Sequence, residues 1–245
     1  MADLDSADFQ RALEVAKLDA LAEFAAGAGH EINNPLATIL GRTQLLLTGE
    51  SDPERRQALL TIGGQALRIR DMIGDLMLFA RPPKMQPQSL DLMQVVREVL
   101  AQSELTRDAE VAGVRIELPT EADSPVPIWA DPVQLRVVIS NLLRNSLEAV
   151  TDGGQIVIRC ETAASDGIEC AKLIVSDNGS GLSVQDREHL FDPFYSGRQA
   201  GRGLGFGLCK CWRIVTLHSG QIDVSSAPGE QTTFTVVWPA SLPCD

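Results

Sequence analysis

The chain has 245 residues, 44% of them hydrophobic, which is enough for one large packed domain or two ordinary ones. Its 33 acidic and 21 basic residues give a formal charge of −12, which argues against a nucleic-acid binder that works by neutralising phosphates and points to a basic partner surface instead. No run approaches the roughly 18 consecutive apolar residues of a membrane span, and the start, MADLDSADFQ, lacks the basic and apolar regions of a signal peptide. A soluble, cytoplasmic chain with no direct membrane insertion is expected. The five cysteines, Cys160, Cys170, Cys209, Cys211 and Cys244, include no CxxC, which favours reduced thiols over a disulfide framework or a zinc site.

The first third has helical periodicity. Leu18, Ala25, Ile32, Ile39 and Leu46 recur every seven residues, with Leu21 and Ala28 three after the first two, as in an a/d seam. After the turn signal TGESDP, Leu59, Ile62, Ala66, Ile69, Ile73, Leu76 and Ala80 step by three and four until Arg81, Pro82 and Pro83 stop the helix. Two long helices in a hairpin expose more apolar surface than their inner faces can hide, so two hairpins are expected to pair as a homodimeric four-helix bundle. A hairpin packed within one chain on the following domain is the alternative.

Residues 84–89 are rich in proline and glutamine and read as a linker. Beyond it, 90–108 reads as an amphipathic helix, 113–118 and 126–130 as short strands, and 131–150 as a helix opened by Asp131 and Pro132. Strands follow over 155–160 and 172–176, then a glycine-rich stretch from 178 to about 205. A helix to about His218 and strands over 220–225 and 232–238 complete the chain. The fold class is α+β: a helical hairpin over 1–83, the linker, and an α/β sandwich over 90–245.

Several residues along this framework can carry chemistry. His30 lies two positions before Ile32, so at about 100° per residue it points roughly 160° from the seam, toward solvent. Glu31 can hold or take its Nδ1 proton, leaving Nε2 nucleophilic, and Asn34 lies one turn on. Pro35 within the helix costs about 3 kcal/mol locally. Asn141 and Asn145 share a helical face, and a carboxamide oxygen suits Mg²⁺. Asp177 ends a strand and begins AspAsnGlySerGly, where a carboxylate can accept a hydrogen bond from an exocyclic amine; an ordinary turn is the alternative. Gly201ArgGlyLeuGlyPheGly207 precedes an apolar helix, and glycine backbone amides beside a helix N-terminus suit a phosphate chain.

Taken in order, these motifs resemble those of the sensor histidine kinases of two-component systems across essentially the whole chain. HisGluIleAsnAsnProLeu is similar to the family's phosphoacceptor box, Asn141 to Ala149 to its N box, and Asp177 to Leu182 to its first glycine box. Phe191 to Phe194 is similar to its F box and Gly203 to Leu208 to its second glycine box. The HisGluIleAsnAsnPro form resembles most the subgroup that includes nitrogen-regulation kinases.

The resemblance implies that His30 is phosphorylated from ATP, with Glu31 as its acidic neighbour, and that the phosphoryl group passes to the receiver domain of a response regulator. It implies that Asn145 binds Mg²⁺, that Asn141 lies by the phosphates, and that Asp177 meets the adenine amino group in a pocket shaped by Gly179 and Gly181. Gly203, Gly205, Gly207 and Leu208 belong to the lid, and Asn34 matches a position that orients water in members that also dephosphorylate their partner. Arg198 stands where a lysine is common, and Arg202 competes with it for the γ-phosphate. Leu204 and Phe206 depart from the family's usual threonine and leucine. The stimulus is expected to enter through a region missing here or through a separate protein. A gyrase-type ATPase or ATP-gated clamp is disfavoured because Asn141 stands where those enzymes carry a glutamate base; a catalytically silent scaffold is the other alternative.

Overall fold

Residues 31–49 are helical, as are residues 20, 23, 27 and 29; this helix is α1 and continues through Pro35. Asp52 starts the second helix, α2 (Pro53–Ala80): its Oδ1 accepts from the N–H groups of Glu54 and Arg55, with proline at the first helical position, where no N–H is needed. In this computed structural model the described residues are 20, 23, 27, 29, 31–80, 82–102, 104–119, 125–165, 168–193, 195 and 205–241. The chain divides into two compact units, Met1–Pro83 and Lys84–Asp245.

Within the first unit the helices run antiparallel. A Cβ on Gly29 would meet Met77 Sδ and Ile73 Cγ2, a Cβ on Gly63 would approach Thr43, and Arg56 Nη1 donates to Leu47 O. Leu36, Thr43, Ala66, Ile73, Leu76 and Ala80 are buried between them. The apolar repeat is therefore two seams. One closes the hairpin, whereas Ile39 and Leu46 on α1 and Ile62 and Ile69 on α2, each pair seven residues apart, stay 42–59% exposed. Of the expected stripes, Ala66, Ile73, Leu76 and Ala80 face the hairpin interior, whereas Ile39, Leu46, Ile62 and Ile69 face outward. Leu18, Leu21, Ala25 and Ala28 lie outside the described residues.

In the second unit, β1 (Gln88–Asp91) pairs antiparallel with β3 (Pro127–Ala130) as a small separate sheet. The main sheet has five strands in the order β2 (Arg115–Glu117), β4 (Gln155–Ser165), β5 (Ile168–Asp177), β7 (Thr232–Pro239) and β6 (Gln221–Ser225); β2 runs parallel to β4 and the other pairs are antiparallel. One face is apolar at every second residue, so Ile158, Val175 and Phe234 align across it, as do Cys160, Leu173, Val236 and Ile222. On that face pack α3 (Leu92–Gln102), α4 (Glu104–Val111), α5 (Pro132–Ala149) and α7 (Gly207–Leu217), through fully buried Val96, Ile139, Leu142 and Val215 among others. This is the expected helix-on-sheet sandwich. Truncating one such leucine to alanine costs about 2–5 kcal/mol.

Two local expectations change. The helix expected over 90–108 is a strand followed by two helices, because Leu90 pairs with Ile128 and Asp91 turns the chain: its Oδ1 accepts from Met93 N and Val126 N. The linker expected over 84–89 accordingly ends inside β1. Within the glycine-rich stretch, a short helix α6 (Val184–Glu188) is closed by a capping box between Ser183 and Asp186.

Candidate functional site

Helix α5 is the centre of the site. Its apolar stripe, Leu135, Val138, Ile139, Leu142 and Leu143, continues into Ser146, which is fully buried against the sheet. Asn141 and Asn145 are half-buried on the neighbouring face. Asn141 is held in place: its Nδ2 donates to Val137 O at 2.7 Å, and its Oδ1 lies 3.2 Å from where a Cβ on Gly207 would stand. The first turn of α7 thus abuts the asparagine face of α5.

Asp177 occupies the last inward-facing position of β5, following Ala171, Leu173 and Val175 at alternate residues, with Ile156 and Thr232 as its register neighbours. The alternation carries a carboxylate under α5, where it is 2% exposed. Ser146 Oγ donates to its Oδ2 at 2.9 Å and Gly179 N donates to its Oδ1 at 3.0 Å. Burial pushes the Asp177 carboxyl above the usual carboxylate range, and the two hydrogen bonds offset only part of that rise. Gly181 has φ +72°, and a Cβ there would lie 1.9 Å from Ala227 O, so that position excludes any side chain. A Cβ on Gly179 would meet Ala149 O and Asp177 Oδ1 at 2.7 and 2.8 Å.

Helix α7 lies antiparallel to α5. Gly207 faces Asn141, Cys211 Sγ donates to Val138 O, and buried His218 meets Asp131. The N-cap residue of α7, Phe206, makes no side-chain capping hydrogen bond, and the partial positive charge of the helix N-terminus suits an anion. At the other end Asp131 N donates to His218 Nε2 at 3.0 Å while His218 Nδ1 donates to Ile214 O, an arrangement that fixes the Nδ1–H tautomer. The Asp131 carboxylate caps α5 through Val133 N and Gln134 N, and its Oδ2 accepts from Gln86 N. Burial acts to raise the Asp131 carboxyl, but these three backbone donors outweigh it and hold the group below its ordinary range.

The structure thus brings Asn141, Asn145, Asp177, Gly179, Gly181, Gly207 and Leu208 into one unit, with Gly205, at φ +68°, just before α7. Gly203, Arg198 and Arg202 lie outside the described residues, as does His30. Glu31 and Asn34 are exposed on α1 in the other unit, and Asn34 O accepts from Thr38 Oγ1. Cys160, Cys170, Cys209 and Cys211 are buried, and burial pushes the thiols of Cys160 and Cys211 up to about 12. Sequence reasoning placed Asp131 at the opening of a helix but did not connect it to His218 and Gln86, and it missed Ser146, whose place on the buried stripe of α5 was a legible signal.

Two family models match the chain: the His Kinase A (phospho-acceptor) domain over residues 20–84, and the histidine kinase-, DNA gyrase B- and HSP90-like ATPase over residues 130–242. The signal transduction histidine-protein kinase AtoS of Escherichia coli is 34% identical over 231 residues, covering 94% of this chain and 36% of that protein. The sensor histidine kinase ZraS of Klebsiella oxytoca is 31% identical over 226 residues, covering 92% of this chain and 47% of that protein. The chain thus spans between a third and a half of these relatives' length. Among solved structures, full-length ShkA in complex with AMPPNP superposes with a TM-score of 0.74 at 24% identity, over 89% of this chain and 45% of that one, which is a likeness of fold. No described helix is long and apolar enough to cross a membrane. With a phospho-acceptor helical region followed by an ATPase-type α/β domain, the chain belongs to the sensor histidine kinase family of two-component systems.

Proposed function

We propose that this chain is an ATP-dependent protein histidine kinase core that phosphorylates its own His30 and passes the phosphoryl group to an aspartate in the receiver domain of a response regulator. One arrangement carries the reading: a buried carboxylate at a strand end, beneath a helix whose asparagine face meets the N-terminus of α7. These groups fit ATP from end to end. Asp177 accepts from the adenine amine, Gly179 and Gly181 leave room for the base, and the first turn of α7 with Gly203, Gly205, Gly207 and Leu208 attracts the phosphates. Asn141 lies by the phosphates and Asn145 supplies a neutral oxygen ligand to Mg²⁺. Mg²⁺ usually keeps phosphate oxygens and waters as its other ligands.

Mg²⁺ supplies charge neutralisation at the phosphates, as in phosphoryl transfer generally. In the transfer step Nε2 of His30 bonds to the γ-phosphorus, the bond to the bridging oxygen of ADP breaks, and Glu31 takes the Nδ1 proton. Either Arg198 or Arg202 neutralises the γ-phosphate. The unit of residues 1–83 serves as phosphoacceptor and residues 90–245 as the nucleotide domain. The outward seam of Ile39, Leu46, Ile62 and Ile69 supports a homodimer, because burying those residues recovers about 25 cal/mol per Å² of apolar surface. Asn34, exposed on α1 and four residues after His30 in sequence, orients water if the chain also dephosphorylates its regulator. The test is His30→Gln: acid-labile labelling from ATP should vanish while nucleotide binding persists. Residual acid-labile phosphate on the variant would contradict the assignment.

A further inference from the structure

Asp177 is the group proposed to meet the base, and its orientation depends on a second residue, Ser146 of α5. A carboxylate at a strand end is free to rotate about χ1 and χ2, and at 2% exposure only a narrow range of orientations leaves a lone pair facing outward. Two donors hold it. Gly179 N fixes Oδ1 from within the same turn, and Ser146 Oγ fixes Oδ2 from α5, the helix that also carries Asn141 and Asn145. Ser146 follows Val138, Ile139, Leu142 and Leu143 on the buried stripe of α5, and it is fully buried.

We infer that Ser146 is a positioning and specificity-determining residue, which aims the Asp177 carboxylate at the exocyclic amine of the base and so sets the preference for a 6-amino purine. The inference rests on the nucleotide reading proposed above. The logic is one of lone pairs. A carboxylate has about four acceptor directions. Ser146 and Gly179 each take one, leaving a fixed remainder for an incoming N–H. Without the hydroxyl, Oδ2 keeps a buried acceptor direction with no donor, and the carboxylate is free to turn toward other partners. The link also joins base recognition to the phosphate side of the site, since one rigid helix holds both Ser146 and the asparagine pair.

The full-length chain tests this with two probes, ATP and purine riboside 5′-triphosphate, which lacks only the 6-amino group. Affinities are measured by calorimetry in the presence of Mg²⁺. Wild type should bind ATP about tenfold more tightly than the analogue, the scale of one charge-assisted hydrogen bond. Ser146→Ala should lower ATP affinity by about that factor and leave analogue affinity nearly unchanged, so the ratio falls toward one. Ser146→Cys keeps the volume with a weaker donor and should give an intermediate ratio, which covers the case of an alanine variant that does not fold. A variant that weakens both ligands equally, or neither, overturns the role of Ser146. Wild type that binds both equally, or neither, overturns the Asp177 reading itself, and the inference with it.

Discussion

At the residue scale, Asp131 and Asp177 are buried carboxylates pulled in opposite directions. Asp131 has three backbone donors, so its lowered value contributes stability that is present above the ordinary aspartate value and is lost as pH falls through the folded-state value. Asp177 is raised by burial, so the sign reverses: its ionised form opposes folding at neutral pH, and that opposition is relieved as pH falls through its raised value. An energetic liability kept at a strand end fits a group retained for binding. Asp177→Asn removes the buried charge, and a carboxamide oxygen can still accept from Ser146 or Gly179. The melting temperature of the nucleotide-free variant should therefore equal or exceed that of wild type, while the upward shift produced by Mg²⁺ and ATP disappears. A variant that melts lower yet still responds to nucleotide would contradict this account of the residue.

At the element scale, α5 and α7 are fastened at both ends, by Asp131 with His218 at one and by Asn141 against Gly207 at the other. His218→Ala would leave the Asp131 N–H without its partner inside the protein, at a cost of about 1–3 kcal/mol. Urea unfolding should show a lower midpoint with an unchanged slope; an unchanged midpoint would mean that the fastening contributes nothing. The hairpin allows a sharper comparison. Ile69 is 43% exposed on the outward seam and Ile73 is 8% exposed on the inward one. Ile69→Glu should convert a dimer to a 26.4 kDa monomer that stays helical, whereas Ile73→Glu places a carboxylate inside the hairpin and should cost helicity as well. Sedimentation with circular dichroism distinguishes the two. A wild type that sediments as a monomer would refute the pairing of hairpins.

At the scale of the whole molecule, most of the order of elements was legible in the sequence, because apolar periodicity reports whichever face an element buries. The strands over 155–160, 172–176 and 232–238 emerged as parts of β4, β5 and β7. The failures have physical causes. Leu90 was assigned to a helix because one apolar residue fits either period, and only its pairing with Ile128 decides between them. Which stripe positions face the hairpin interior and which face outward was not legible, because a seven-residue repeat does not say whether its partner lies in the same chain. The candidate site was legible as motifs at Asn141, Asn145, Asp177 and the glycines. What supports them was not: Ser146 to Asp177 spans 31 positions and Asp131 to His218 spans 87, and no local pattern encodes such a pairing.

The central claim is a covalent one: phosphate from ATP comes to rest on one nitrogen of one histidine. The most direct measurement digests the labelled protein at alkaline pH, where phosphohistidine survives, and locates the phosphate by fragment mass. The account predicts a single acid-labile phosphate on the peptide that carries His30. Acid-stable phosphate, label on any other residue, or rapid release of inorganic phosphate from an unlabelled protein would contradict it.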